Sequence, residues 1–88
     1  MQEYKDAVRG HLSSYVCQLR QRRGLTQEEM AEKLRITARA YGDLERGKFC
    51  FSAPALMALL LIIEEDEVAE LLNEFSKITE KLDGKEVA

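Results

Sequence analysis

One proline, one histidine and two cysteines are all that 88 residues offer of those types. His11, Cys17 and Cys50 lack the paired spacing of a zinc site, so no metal is expected. No nucleophile–base pair and no phosphate-cradling loop can be found, which argues against an enzyme. No cofactor or small-molecule ligand is expected either. The longest apolar run, Ala55 to Ile63, is nine residues, far too short to span a membrane. The opening Met-Gln-Glu-Tyr-Lys-Asp has no apolar leader region, so a reducing cytoplasmic setting with free thiols is the expectation. Period-2 alternation is missing throughout, which excludes a sheet protein. Internal repeats, linkers and low-complexity tracts are missing as well.

What remains suits one small domain over 1–88. Such a chain buries about 60–65% of the surface it exposes when unfolded. At 45% hydrophobic it is too apolar for a disordered chain. The net charge of −3 conceals a division. Residues 1–52 hold ten Lys/Arg against seven Asp/Glu, a net of +3. Residues 53–88 hold three Lys against nine Asp/Glu, a net of −6. A basic front half on an acidic chain suits an anionic partner met at one end.

The apolar spacing predicts five helices and an all-α fold. In the first, about Tyr4 to Arg23, Val8, Leu12, Tyr15, Val16 and Leu19 share one face, and Gly24 is a natural left-handed stop. Thr26 and Glu29 make a capping box for a short second helix with Met30, Ala31 and Leu34 inward. Thr37 caps a third helix that ends before Gly47, with Ala40, Tyr41 and Leu44 inward. Its outward face is expected to be Ala38, Arg39, Gly42, Asp43 and Arg46. Ser52 and Pro54 open a fourth helix to about Ile63 that is apolar nearly all round. Phe49, Phe51, Tyr41 and Met57 read as core or core rim. An acidic turn, Glu64 to Glu67, starts the fifth helix, whose Val68, Leu71, Phe75, Ile78 and Leu82 repeat as a heptad seam.

Two short helices joined by a tight turn form a helix-turn-helix arrangement. The residues Leu25-Thr26-Gln27-Glu28-Glu29-Met30-Ala31-Glu32-Lys33-Leu34, followed by Leu44-Glu45-Arg46-Gly47-Lys48, resemble the XRE family, the Cro and lambda-repressor type. Arg20, four residues before Gly24, fits the same pattern. The resemblance covers about Leu12 to Ile63, leaving the helix of about 64–83 outside it. It implies a lambda-repressor-like five-helix fold and sequence-specific binding of double-stranded DNA. The Arg39 to Gly47 stretch is similar to a branch of small bacterial regulators in that family.

Such a fold lays its second helix across the DNA backbone and its third in the major groove. The resemblance makes Ala38, Arg39, Gly42 and Asp43 the base-facing positions. Arg39 could take guanine O6 and N7 together, Ala38 a thymine methyl, and Asp43 the cytosine amine. The alternative is that Arg39 and Asp43 are simply an i, i+4 pair contributing a few tenths of a kcal/mol (about 0.2–0.5). Thr26, Gln27, Arg46, Lys48 and Arg23 are the expected phosphate contacts, with Gln27 in a first turn rich in free N–H groups. Arg20 and Glu45 are expected to form a structural ion pair between helices one and three. Gly42 costs a helix interior about 1 kcal/mol against alanine. Arg35 replaces a family glycine, so it either accepts a positive φ or adds a phosphate contact.

A homodimer is expected through Met57, Leu61, Val68, Leu71, Leu72, Phe75, Ile78 and Leu82, giving a repressor-like regulator. The rival is a helix-turn-helix protein that no longer reads DNA and binds protein partners through helices four and five.

Overall fold

The computed structural model describes residues 2–84. Among them the chain is five helices and no strand: α1 Gln2–Arg22, α2 Gln27–Leu34, α3 Ala38–Glu45, α4 Ala53–Ile62 and α5 Glu65–Asp83. The first starts two residues earlier than the apolar spacing suggests. Gln2 donates to Asp6 at 3.0 Å, and Arg9 pairs with the same carboxylate at 2.6 Å, so polar side chains extend the helix.

Local chemistry explains each boundary. The Glu29 N–H donates to Thr26 Oγ1 at 3.0 Å, while Thr26 N–H donates to Glu29 Oε1 at 2.8 Å, the full capping box. Thr37 Oγ1 accepts from Ala40 N–H, and Ser52 Oγ from Ala55 N–H. At the other ends the chain closes three times in the same way. Leu25 N–H reaches the Arg20 carbonyl, Ile36 N–H that of Ala31, and Lys48 N–H that of Asp43. Each closure needs a left-handed residue just before the last donor. Gly24 and Gly47 supply two of them, and Arg35, at φ 63°, supplies the third.

The core is shared by all five elements. Leu12, Val16 and Leu19 of α1 meet Met30, Ala31 and Leu34 of α2, with Tyr41, Ala58, Leu59, Ile63 and Leu71 closing it. The second helix packs on α3 and on α4, the third also on α1, and α5 lies along α1. His11 Nε2 donates to the Leu71 carbonyl at 3.1 Å. The Phe75 ring sits 5.8 Å from Tyr4, edge-on, and 5.4 Å from His11.

That packing corrects the expected dimer seam. Leu71 is buried, and Val68, Phe75 and Ile78 are half-buried. The heptad pattern of α5 therefore serves mainly its own α1, because the nearest apolar partner is in the same chain. Left exposed are Leu61 (81%), Leu72 (60%), Met57 (57%) and, at the tip, Leu82. Met57 and Phe49 are exposed rather than part of the core, whereas Tyr41 is fully enclosed and Phe51 half-buried. No described helix is long and apolar enough to cross a membrane.

Candidate nucleic-acid interface

Three side chains, one from each of α1, α2 and α3, converge on the Glu45 carboxylate. Arg20 Nε donates to Glu45 Oε2 at 2.5 Å, and its Nη1 donates to the Leu25 carbonyl at 3.0 Å. The Tyr41 hydroxyl lies 2.5 Å from Glu45 Oε2 and donates to it. Gln27 Nε2 donates to Glu45 Oε1 at 2.9 Å. The Glu45 side chain is only 8% exposed. Burial pushes the Glu45 carboxyl up, but the hydrogen bonds from Arg20, Tyr41 and Gln27 outweigh it and hold the group below the usual carboxylate range. Burial first, and then the bond to Glu45, push the Tyr41 phenol well above its ordinary value. Glu45 thus ties α1, α2 and α3 into one unit and aims α3.

The family resemblance pairs Arg20 with Glu45, and the structure has that ion pair, but Tyr41 reads only as core and Gln27 as a phosphate ligand. The four-residue step from Tyr41 to Glu45 was the available signal for the phenol. Nothing local signals that Gln27 reaches Glu45, eighteen residues away.

The outward face of α3 also needs correcting. Ala38 and Arg39 are exposed in its first turn. Gly42 and Asp43 are buried. A Cβ on Gly42 would sit 3.4 Å from an Arg46 nitrogen and 3.7 Å from Gln27 Oε1. The glycine therefore lies beneath those two side chains. Asp43, 8% exposed, is ion-paired with Arg46, not with Arg39. A carboxylate so engaged is not presented to a base edge. Arg39 forms no ion pair among the described residues and keeps its fork free.

Of the other expected anion contacts, Lys48 is exposed, with its ammonium 5.6 Å from the Phe49 ring centre. Arg46 stays two-thirds exposed despite its pairing. The Thr26 oxygen is engaged by its cap, leaving its proton to donate outward. Arg23 is turned away from this surface in its bonding: it donates to the Ile62 carbonyl at 3.1 Å and faces Glu67 at 3.5 Å. Arg35 is exposed and left-handed, so its backbone role is the one its glycine-like position demands.

The surface thus combines an exposed helix start with Arg39, a rigid support for it, and cations at the far end. A family model for the helix-turn-helix domain matches residues 18–68, more than half of the chain. No curated protein and no solved structure matches the chain significantly.

Proposed function

The chain belongs to the XRE family of DNA-binding helix-turn-helix regulators, and from that premise we propose a repressor-like homodimer that reads duplex DNA with the first turn of α3. Arg39 is the base reader. It is the one exposed fork at the start of that helix, where helix-turn-helix proteins approach base edges. Lys48 and Arg46 hold the backbone, and Gln27 acts chiefly by fixing α2 to α3 through Glu45. The observation that carries the reading is the Glu45 node, because it orients α3 without using Arg39. Ala38 beside Arg39 adds apolar contact and no polar discrimination. With Gly42 and Asp43 withdrawn, each half-site is read at few positions and specificity is modest. Met57, Leu61 and Leu72 form the dimer face.

The test is selection from random duplexes at low salt, followed by affinities for the chosen site and its single-base variants. Arg39→Ala is expected to relax preference at one position per half-site, by about 1–3 kcal/mol. Lys48→Ala is expected to weaken binding to every sequence alike and to shallow the salt slope by about one. Equal losses for Arg39→Ala on all variants would make it a phosphate contact. A chain that binds no duplex at low salt would instead favour a module that acts only on protein partners.

A further inference from the structure

The joint between α4 and α5 consists of Ile63 and Glu64, both extended, at φ −110° and ψ 162° and at φ −78° and ψ 161°. Two extended residues make no helical turn, so the angle between the helices is held by side chains, by the packing of Leu71 against α1 and by contacts at the joint itself. One guanidinium spans the joint. Arg23 Nη1 donates to the Ile62 carbonyl, the last of α4, at 3.1 Å. Its Nη2 lies 3.5 Å from Glu67 Oε1 in the first turn of α5. The same carboxylate oxygen accepts the Glu64 N–H at 2.8 Å. Arg23 follows α1 without a break, its own N–H bonded to the Leu19 carbonyl at 3.1 Å. The end of α1 therefore grips both sides of the joint, and both sides carry exposed apolar side chains, Met57 and Leu61 on α4 and Leu72 on α5.

We propose that Arg23, through the Ile62 carbonyl and Glu67, sets the angle between α4 and α5 and thereby the half-site spacing that the dimer accepts. This rests on the dimeric DNA-binding reading above. The lever is long enough. A helix of 19 residues is roughly 28 Å long. A tilt of about 7° at one end moves the other by about 3.4 Å, one base-pair step. Arginine suits the position because its planar fork makes two directed bonds, whereas lysine brings a point charge. Arg23 is a positioning residue and touches no DNA.

The experiment uses the full chain and duplexes carrying two selected half-sites whose separation is stepped one base pair at a time. Wild type, Arg23→Lys, Arg23→Gln and Glu67→Gln are compared, the last keeping an oxygen for the Glu64 cap. The wild type is expected to prefer one spacing. All three variants are expected to bind a single half-site with wild-type affinity and salt slope, while the preference for the best spacing falls several-fold. A phosphate role for Arg23 predicts something else. Arg23→Gln would then weaken every duplex alike and shallow the slope by about one, Arg23→Lys would restore it, and Glu67→Gln would do nothing. That result, or unchanged spacing preference in all three variants, overturns the proposal. A wild type that ignores spacing and sediments as a monomer overturns the dimer reading itself, and the clamp with it.

Discussion

Glu45 links three helices at once, because Arg20, Gln27 and Tyr41 all donate to its carboxylate. Glu45→Ala would leave the half-buried Arg20 guanidinium without its carboxylate and the Tyr41 hydroxyl with only the Val16 carbonyl, 3.3 Å away. The expected loss is about 3 kcal/mol, seen as a sharp fall in melting temperature. The same residue sets an acid limit. Its folded pKa is lowered, so the stability it contributes is present above the ordinary carboxylate value and is lost as pH falls through the folded one. Melting followed from pH 6 downward should show a steep decline below pH ~4.5, and Glu45→Gln should flatten it. Arg35 is the opposite case, a residue held in a conformation it does not favour. Its φ of 63° closes α2 as Gly24 closes α1. Arg35→Gly should therefore raise stability by about 1 kcal/mol, since the relieved strain exceeds the entropy that glycine adds to the unfolded chain. Chemical denaturation would show it as a higher midpoint at unchanged slope.

At the scale of the element, α5 is the instructive helix. Its seam is regular enough to look like one side of a coiled coil, yet Leu71 is enclosed and Phe75 is flanked by Tyr4 and His11 of the same chain. A heptad repeat specifies an apolar stripe and is silent on whose surface covers it. Leu71→Ala should cost about 2–5 kcal/mol, the range for emptying an enclosed leucine site, and should loosen α5 from α1. Amide exchange in α5 would then accelerate before that in α2 and α3. α4 shows the complementary situation. It is apolar almost throughout, but only Ala55, Ala58 and Leu59 of its residues are fully enclosed. Its remaining stripe, led by Leu61, faces outward.

At the scale of the molecule, that outward stripe and the division of charge point in different directions along the chain. The basic front half contains α2 and α3, and the acidic half contains α4 and α5. A nucleic-acid surface and an association surface can thus be carried by different helices of the one body. Acidic α5 adjoining a polyanion would be unfavourable, so the charge division itself favours keeping that helix away from DNA. Leu61→Glu places a charge in the middle of the exposed apolar stripe. It should leave the melting of dilute protein within about 0.5 kcal/mol of wild type, because a side chain 81% exposed contributes little to the fold. Sedimentation equilibrium at micromolar concentration should change from dimer to monomer. If wild type and variant both sediment near 10.1 kDa, the stripe is not a dimer face.

The caps, the stops and the inward helical faces were legible in the sequence because each is decided within four residues. Thr26 with Glu29, Thr37, Ser52 and the glycines at 24 and 47 act on their own backbone. The Arg20–Glu45 pair was legible only through resemblance to a family, since nothing in a single chain marks two residues twenty-five apart as partners. Three matters were decided by the tertiary structure alone. Whether Gly42 and Asp43 face outward depends on where the Gln27 and Arg46 side chains settle, and they settle over that part of α3. Whether Arg23 meets phosphate or protein depends on the α4–α5 joint being brought against the end of α1. Whether the seam of α5 is internal depends on α1 being long enough to lie beside it. In each case periodicity identifies a face, and only the packing of one element against another determines what that face meets.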